Sequence, residues 1–495
     1  MEQQLSAQAE TGVEGLDDVL DGGFDRGRVY LLEGNPGTGK TTIALKFLLS
    51  GVAAGERYLY ITLSETTDEL HATACSHGWS LDDMDIFELL PSENLLDAQQ
   101  QQSLLYSSDL ELGETTSRIF EKIEEFQPSR VVLDSLSEIR LLAQSSLRYR
   151  RQILALKHYF ARSSATVLML DDLTTDINDK TVHSVAHGVV QLEELPREYG
   201  GERRRLKIKK YRARKYRGGY HDMAIRTGGV QVYPRLISAE HHKAFVRTTM
   251  ETGSTELNAL LGGGIERGSS VLMLGPAGTG KSLIALTIIK AAIARGECAA
   301  MFVFDEELGL LRHRALGLKI DLAAMEASGH LVLEQVDAAE LTPGEFSARV
   351  RDCVEKYRAQ TIVVDSLNGY QASMPGEHAL ILHIHELLQY LNRQGATTYL
   401  TVAQHGMVGG IDAPVDVTYL ADTVIVLRYF EVRGRVRRAI SVVKKRMSAH
   451  EDSIREYQIN SRGITLGAPL TGFQGILRGV PSVLGGEGFL EEEAL

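Results

Sequence analysis

Apolar and polar positions along this chain follow two alternating patterns. Short runs of almost continuous apolar and β-branched residues predict buried parallel strands at residues 29–32, 58–63, 131–133 and 166–170. Longer segments between these runs have the helical period of apolar residues, as at 42–52 and 115–126. Strands that alternate with helices in this way predict an α/β fold, in which helices cover both faces of a parallel sheet.

The order of motifs in the first half of the chain recurs in the second half. The four recurring blocks, each followed by its second copy, are TGVEGLDDVLDGGFDRG at 11–27 and TGSTELNALLGGGIERG at 252–268; GNPGTGKT at 34–41 and GPAGTGKS at 275–282; VVLDSL at 131–136 and IVVDSL at 362–367; and KKYR at 209–212 and VKKR at 443–446. Blocks that recur in the same order at nearly constant spacing predict a duplicated domain. We expect a first domain over residues 1–245, a second over 246–470 and a flexible acidic C-terminal tail over 471–495.

Each expected domain contains one complete G-x-x-x-x-G-K-[ST] motif, with an apolar strand before it and a helix after it. In this motif glycines let backbone N–H groups turn towards phosphate oxygens at a helix N-terminus. We expect Lys40 and Lys281 to contact the β- and γ-phosphates of ATP, and the hydroxyls of Thr41 and Ser282 to bind Mg²⁺. The expected ATP-binding residues of the motifs are Gly34, Asn35, Pro36, Gly37, Thr38, Gly39, Lys40, Thr41 and Thr42, and Gly275, Pro276, Ala277, Gly278, Thr279, Gly280, Lys281, Ser282 and Leu283. The two motifs predict two tandem RecA-like P-loop NTPase domains with parallel-core sheets.

Each P-loop also requires a carboxylate at the end of another buried strand, where it holds Mg²⁺ and its water. Asp134 and Asp365 end such strands, and each is followed by Ser-Leu. A charged residue that ends an apolar strand is costly unless a cation or a hydrogen-bond donor meets it. The alternative is that these residues only cap their strands. The expected Mg²⁺ ligands are Thr41, Asp134, Ser282, Asp305 and Asp365.

A carboxylate that activates water or a hydroxyl is expected near the end of the strand that follows the P-loop helix. The first domain has Glu65 there, and the second has the adjacent pair Asp305 and Glu306. Ser64 stands where the second domain has Asp305, so the identity of the first-domain base stays open. The alternative is that these carboxylates have no catalytic role, because acidic residues are common at helix N-termini, where a negative charge is favourable.

Composition is typical of a soluble globular protein, with 43% hydrophobic and 24% charged residues. No apolar run approaches the roughly 20 residues that a membrane span needs, and the N-terminus lacks the pattern of a signal peptide. Three scattered cysteines, Cys75, Cys298 and Cys353, are too few for a disulfide framework or a metal cluster. These features favour a cytoplasmic protein without a membrane segment. The net charge of −12 disfavours nucleic acid as a partner.

Ten of the fifteen residues at 203–217 are Lys or Arg, and apolar residues alternate with some of them as on a strand with one apolar face. Three interpretations are open: the charges protect an edge strand, contact single-stranded nucleic acid, or reach the γ-phosphate held by a neighbouring subunit. We favour the third, because Lys444 and Arg446 have the same place in the second domain as Lys210 and Arg212 have in the first. That geometry requires a ring of subunits.

The two P-loops, the DGGFDRG and GGGIERG entries and the LDS and VDS strand ends together resemble the KaiC-like family of double-domain ATPases, over about residues 10–470. The resemblance implies a two-tiered homo-hexamer with ATP between adjacent subunits, an ATPase in the first domain and an autokinase in the second. It aligns Asp305 and Glu306 with the carboxylates that activate the acceptor hydroxyl. The resemblance adds Lys210, Tyr211 and Arg212 and the segment 427–440. The expected ATP-binding residues at the equivalent place in the second domain are Lys444, Lys445 and Arg446.

The resemblance also aligns Thr418 and Tyr419 with the family's neighbouring Ser and Thr phosphoacceptors. Thr418 keeps a hydroxyl of the right kind, whereas the phenol of Tyr419 projects its oxygen further, so Thr418 is the expected acceptor. It follows a loop-like stretch at 409–416 and precedes an expected strand at 423–428; the alternative is that it only packs in a turn. The sequence after Arg462 differs from the family's activator-binding extension. A KaiA-type partner is therefore unsupported, and a KaiB-type partner on the first domain stays open.

Three functions follow from these patterns. The favoured one is a hexameric ATPase with Ser/Thr autokinase activity in signalling or clock-like timing. The second is a RecA- or DnaB-like motor on nucleic acid, and the third is a regulatory ATP-binding scaffold. The acidic net charge, the single Trp79 and the lack of an appended DNA-binding motif count against the motor.

Overall fold

The computed structural model describes residues 8–89, 104–173, 181–197, 199–372, 377–404, 418–432, 434–460, 463–478 and 482–483. The chain divides into two compact units, Met1–Arg235 and Leu236–Leu495, which we call lobe one and lobe two. None of the helices in the described ranges combines the length and the apolar character that crossing a membrane would require.

Lobe one alternates strands and helices along its described residues. Its strands are β1 (Gln8–Ala9), β2 (Phe24–Asp25), β3 (Val29–Gly34), β4 (Tyr58–Thr62), β5 (Asp85–Glu88), β6 (Arg130–Asp134), β7 (Thr166–Asp172), β8 (Gly188–Leu195), β9 (Arg203–Tyr211), β10 (Tyr220–Arg226) and β11 (Gly229–Tyr233). Its helices are α1 (Leu16–Val19), α2 (Lys40–Ala53), α3 (Thr67–Ser76), α4 (Leu104–Phe126), α5 (Leu136–Ala143), α6 (Ser146–Ser163) and α7 (Thr181–Val185).

One large sheet organises lobe one, with nine strands in the order β11-β10-β9-β8-β3-β7-β6-β4-β5. The six strands from β8 to β5 run parallel to their neighbours, whereas β9, β10 and β11 join antiparallel. The carboxyl ends of parallel strands meet at the same edge of a sheet, which is where ligands bind in open α/β folds. The P-loop after β3 and the last residues of β6 and β7 therefore share one edge.

At its centre this sheet is buried on both faces. Along β3, Tyr30 and Leu32 pack into one apolar cluster and Val29 and Leu31 into another, because successive residues of a strand point to opposite faces. A strand that is covered on both faces reads as a continuous apolar run, which is why this strand could be predicted from its composition. The buried sheet gives the P-loop a rigid support.

Lobe two repeats the same succession of elements. Its strands are β12 (Thr249–Met250), β13 (Ile265–Glu266), β14 (Ser270–Gly275), β15 (Cys298–Val303), β16 (Leu331–Gln335), β17 (Ala359–Asp365), β18 (Thr397–Ala403), β19 (Thr423–Val432), β20 (Arg435–Lys445), β21 (Arg455–Asn460), β22 (Gly463–Pro469), β23 (Phe473–Gln474) and β24 (Ser482–Val483). Its helices are α8 (Thr255–Leu260), α9 (Lys281–Ala294), α10 (Leu308–Leu316), α11 (Leu322–Ala327), α12 (Pro343–Glu355), α13 (Leu367–Ala372) and α14 (Glu377–Gln394), with 3₁₀ turns at Ser238–Glu240 and Ile476–Arg478.

The main sheet of lobe two has the order β16-β15-β17-β18-β14-β19-β20-β21-β22. Its strands from β16 to β19 are parallel and its last three are antiparallel, so it repeats the sheet of lobe one strand for strand. The prediction of an α/β fold with two RecA-like parallel-core sheets is confirmed.

The basic segment of lobe one forms an internal strand. Leu206 and Ile208 of β9 are buried, which confirms the predicted apolar face. However, β9 hydrogen-bonds to β8 on one side and to β10 on the other. The interpretation that its charges protect an edge strand is therefore wrong for residues 204–207, which pair with a strand on each side. In the described part of the chain, residues 208–211 pair with β8 and have no register partner on β10.

The beginning of the expected flexible tail is packed. Ile476 is 1% exposed and lies in an apolar cluster with Phe430 and Ala439, and Phe473 packs against the same cluster. A few apolar side chains among the glycines of this segment are enough to fix it on lobe two. The expected flexibility of the tail over residues 471–495 stays a prediction.

Candidate functional site

The two P-loops have the same local geometry. In lobe one β3 ends at Gly34, α2 begins at Lys40, and Gly37 and Gly39 have φ angles of 81° and 95°. In lobe two Gly278 and Gly280 have φ angles of 78° and 96°. These angles lie in the left-handed region, where glycine is the residue that avoids strain. The glycines of the motif therefore allow each loop to curl around the N-terminus of its helix, where backbone N–H groups attract anions.

The P-loop lysines are buried within their own loops. Lys40 Nζ lies 2.9 Å from the carbonyl oxygen of Gly34 and 3.0 Å from that of Asn35. Lys281 Nζ makes the equivalent bonds to Gly275 and Pro276, at 2.7 and 2.9 Å. Burial lowers the pKa of Lys281 to about 8. Carbonyl oxygens of its own loop thus hold each ammonium. Phosphate oxygens bound by that loop would contact the same ammonium.

The lysine of lobe one has a further partner that the sequence analysis missed. Asp172, the last residue of β7, forms an ion pair with Lys40, and its Oδ1 atom lies 2.7 Å from Lys40 Nζ. Strand register explains the contact, because β7 lies beside β3 and pairs Asp172 with Gly34. In lobe two the same register pairs Gly275 with Ala403, which has no charge. The acidic end of β7 was visible in the sequence, but its adjacency to β3 was not.

Asp134 and Asp365 end the strands that the sequence analysis assigned to them, β6 and β17, and both are buried. Asp134 accepts a hydrogen bond of 2.6 Å from the Tyr60 hydroxyl, and burial raises the pKa of Asp134 to about 6. Asp365 instead accepts a bond of 2.5 Å from Thr401 Oγ1. In both lobes the peptide bond after the carboxylate is cis. Each carboxylate is thus met by a hydroxyl donor, and the two donors come from different strands.

Glu65 lies between β4 and α3, next to the P-loop. Its Oε1 atom is 3.4 Å from the hydroxyl of Thr41, and its Oε2 atom is buried without a hydrogen-bond partner among the residues that the structure describes. Burial raises the pKa of this carboxyl. The N-cap of α3 is Thr66, so the Glu65 side chain does not cap the helix, and its catalytic role stays a prediction. A buried carboxylate oxygen with no donor is costly unless a proton, a cation or water meets it.

The acidic pair of lobe two has a different environment. Asp305 Oδ2 accepts a hydrogen bond of 2.5 Å from Ser366 Oγ, and Glu306 forms an ion pair of 2.7 Å with Arg314. Burial raises the pKa of Glu306. The N-cap of α10 is Glu307, which accepts bonds from two backbone N–H groups, so neither predicted carboxylate caps that helix. The catalytic role of Asp305 and Glu306 stays a prediction.

The basic residues expected to reach another subunit contact backbone carbonyls of their own lobe. Lys210 Nζ lies 2.8 Å from Ala186 O and Arg212 Nη2 lies 2.8 Å from Ser184 O. In lobe two Lys444 Nζ lies 2.8 Å from Thr418 O and Arg446 Nη2 lies 2.7 Å from Tyr419 O. Lys210 and Arg212 therefore bind the segment just before β8, and Lys444 and Arg446 bind the segment just before β19. These two strands pair with the P-loop strands β3 and β14. Their contact with a γ-phosphate stays a prediction.

The middle residue of each basic triplet is turned into its lobe. The Tyr211 hydroxyl contacts Gly23 O and the backbone N of Asp25, both at 3.1 Å. The Lys445 side chain is 1% exposed and its Nζ lies 2.8 Å from Gly264 O and 3.1 Å from Glu266. These side chains fix the entry segments of their lobes. Their expected contact with ATP has no support from these positions and stays a prediction.

The predicted acceptor Thr418 is half-buried, and the neighbouring Tyr419 is 51% exposed. Both precede β19, as expected. The loop-like stretch at 409–416 lies outside the described residues. Phosphorylation of Thr418 therefore stays a prediction that rests on its place beside Lys444.

A histidine near the P-loop helix was also missed. His77 Nε2 lies 3.4 Å from the hydroxyl of Thr42, and its Nδ1 lies 3.0 Å from the carbonyl oxygen of Arg226. It thereby connects the first turn of α2 with the end of β10. No local motif marks it, because the contact depends on the packing of α3 against α2.

Comparison with known proteins agrees with this geometry. The family model for the KaiC ATPase matches residues 9–237 and again residues 250–470. The circadian clock protein KaiC3 of Synechocystis sp. is 28% identical over 95% of this chain and 94% of its own length. The circadian clock oscillator protein KaiC of Synechococcus elongatus is 26% identical over 97% of this chain and 93% of its own length. The two matched regions each contain one P-loop, one strand-end carboxylate and one basic strand. The chain belongs to the KaiC family of ATPases.

Proposed function

We propose that this KaiC-family protein hydrolyses ATP at both P-loops, assembles as a homo-hexamer and phosphorylates itself on Thr418, in a signalling or clock-like role. The observation that carries the hydrolytic part is the geometry of lobe one. There the P-loop lysine, the Thr41 hydroxyl, a buried carboxylate at the end of β6 and the unpartnered oxygen of Glu65 lie at one edge of the sheet. These are the parts that phosphoryl transfer from a nucleoside triphosphate requires.

The residues present suit Mg²⁺ bound together with the nucleotide. A nucleotide-borne Mg²⁺ keeps most of its water and needs only one or two protein oxygens besides the phosphates. Thr41 and Asp134 supply a hydroxyl and a carboxylate in lobe one, and Ser282 and Asp365 supply them in lobe two. The buried Glu65 Oε2, which lacks a donor, also favours a cation or a bound water nearby. When bound, Mg²⁺ would neutralise charge that develops on the transferring phosphoryl group.

In the proposed hydrolysis the oxygen of a water molecule attacks the γ-phosphorus, and ADP leaves. The proton of the water passes to Glu65, whose pKa is raised by burial, so that it is a better proton acceptor than an exposed glutamate. Lys40 contacts the β- and γ-phosphates. No carboxylate corresponds to Asp305 in lobe one, where Ser64 stands, and we therefore expect Glu65 to act alone.

In the proposed autokinase reaction the Thr418 hydroxyl of one subunit attacks the γ-phosphorus of ATP held by the adjacent subunit. Asp305 or Glu306 accepts the hydroxyl proton, and ADP leaves. Support comes from the contact of Lys444 with the Thr418 carbonyl, which links the predicted acceptor to a predicted phosphate-binding cation. A KaiB-type partner on lobe one, which the family resemblance of the sequence leaves open, belongs to the same proposal.

The nucleic-acid motor is the weaker candidate for a specific reason. Three cations of β9 are ion-paired within their own lobe: Arg205 and Lys207 with Glu193 at 2.8 and 3.3 Å, and Lys209 with Glu33 at 2.8 Å. Cations that are already neutralised contribute little to the counterion release that drives binding to nucleic acid.

Phosphate release and intact mass, measured on the same samples, test the proposal. The full-length protein with Mg-ATP should release phosphate, and Lys40→Ala combined with Lys281→Ala should abolish that release. Intact mass should increase by one phosphoryl group, and peptide mapping should locate it at Thr418. Release without any mass increase would leave the ATPase and refute the autokinase, whereas stimulation by single-stranded DNA would favour the motor.

A further inference from the structure

The ion pair between Lys40 and Asp172 occupies the group that must meet the phosphates of ATP. Lys40 Nζ and Asp172 Oδ1 are 2.7 Å apart, and their side chains are 10% and 29% exposed. The same ammonium also contacts two loop carbonyls. These three acceptors together match the three N–H donors of the ammonium.

The corresponding position in lobe two has no carboxylate. Register pairs Asp172 with Gly34 and Ala403 with Gly275, so Asp172 and Ala403 hold equivalent positions beside the two P-loops. Lys281 keeps the two loop carbonyls as its partners there. The two sites therefore differ at this position by one negative charge in contact with the P-loop lysine.

We propose that Asp172 competes with the phosphates of ATP for Lys40, so that lobe one binds ATP more weakly than it would with an uncharged residue at this position. The inference rests on the proposed ATP binding by both P-loops. Asp172 acts through Lys40 and is a positioning residue. ATP must separate the ion pair before Lys40 can contact its phosphates, and the nearby carboxylate then repels the triphosphate.

A partly buried, charge-assisted hydrogen bond of this kind contributes enough to change affinity measurably. Removing the competing carboxylate should tighten ATP binding to lobe one about tenfold, which corresponds to about 1.4 kcal/mol. Because the carboxylate affects the loading of ATP, the Michaelis constant of lobe one should fall by a similar factor. The turnover number should change by no more than about twofold, since Glu65 is unaltered.

The test measures equilibrium binding of a fluorescent ATP analogue with Mg²⁺ to the full chain. Lobe one is isolated by Lys281→Ala, and Asp172→Ala and Asp172→Asn are added to that background. The asparagine variant keeps the shape of the side chain and guards against a packing defect. Asp68→Asn, which removes an exposed carboxylate of α3, is the matched control and should leave affinity unchanged. In the reciprocal experiment, Ala403→Asp in a Lys40→Ala background should weaken binding to lobe two about tenfold.

Tighter binding by both Asp172 variants together with weaker binding by Ala403→Asp would support the competition. Unchanged or weaker binding by the Asp172 variants would overturn it, because a purely structural or metal-binding role predicts no gain in affinity. If the Lys281→Ala protein bound no ATP at all, the proposed function of lobe one would fail with it. Binding that the Asp172 variants do not tighten would refute the competition alone.

Discussion

Replacing Glu65 by Gln should separate catalysis in lobe one from nucleotide binding and from folding. Glutamine has the same shape but cannot accept the proton of the attacking water. Loss of a general base costs about 10²–10⁴-fold in rate, which corresponds to about 2.7–5.4 kcal/mol of transition-state stabilisation. Among the described residues, the hydrogen bond of the Glu65 side chain is long, 3.4 Å to the Thr41 hydroxyl, so ATP affinity should change little.

The same substitution should not destabilise the fold. Burial raises the pKa of Glu65, which means that the folded state holds the ionised form less well than the unfolded state does. At neutral pH the negative charge therefore costs free energy of folding. The glutamine variant, measured without nucleotide, should unfold at the same temperature as the parent or at a higher one.

The assay is phosphate release by full-length protein with lobe two silenced by Lys281→Ala, with and without Glu65→Gln. The control is Asp68→Asn, which likewise replaces a carboxylate by its amide, three residues later at an exposed position of α3. The control should retain the parent rate within about twofold. A Glu65→Gln variant that also kept its rate would refute the assignment of the base, and Asp172 would then be the next carboxylate to examine.

Further predictions concern the acceptor, the acid stability of lobe one and the basic pairs. Thr418→Ala should abolish most phosphate incorporation measured by intact mass while light scattering still detects the hexamer; equal incorporation would contradict the assignment. Burial raises the pKa of Glu56, but hydrogen bonds from Arg26 and Arg130 outweigh it and lower the pKa to about 2. The ionised Glu56 should therefore stabilise the folded state by about 3 kcal/mol above pH 4.5, the ordinary pKa of glutamate. This contribution should disappear as the pH falls towards 2 and Glu56 takes up a proton. In the Glu56→Gln variant the free energy of unfolding should therefore fall less steeply between pH 4.5 and pH 2. An unchanged pH dependence would exclude the ion pairs of Glu56 as the cause of the acid destabilisation. Lys444→Ala should lower phosphate incorporation without preventing ATP binding to the same subunit, which equilibrium binding of an ATP analogue would check.

Local patterns predicted the strands and P-loops well, because each depends on residues that are neighbours in sequence. A strand buried on both faces, such as β3, is apolar throughout, and the glycines of the P-loop mark their own backbone geometry. The end of β6 at Asp134 could be predicted for the same reason: a carboxylate follows an uninterrupted apolar run.

Contacts that depend on strand order could not be predicted in this way. Asp172 meets Lys40 because β7 lies beside β3, although the two strands are far apart along the chain. The cations of β9 were visible as a charge run, but their neutralisation by Glu193 on β8 follows from antiparallel register. The order of residues along the chain shows the charges and their periodicity. Which charges face each other depends on strand order and register, which the sequence pattern does not specify.

The different hydroxyl donors to Asp134 and Asp365 have a consequence for recombination between the two halves of the chain. Tyr60 of β4 corresponds by register to Met301 of β15, and Thr401 of β18 corresponds to Leu170 of β7. A chimaeric lobe that combined β15 with β7 would surround its strand-end carboxylate with Met301 and Leu170, neither of which can donate a hydrogen bond. The reciprocal chimaera would offer two hydroxyls where one suffices. The two lobes thus satisfy their buried strand-end carboxylates with hydroxyl groups from different strands. Exchanging single strands between the lobes would therefore leave one carboxylate without its donor.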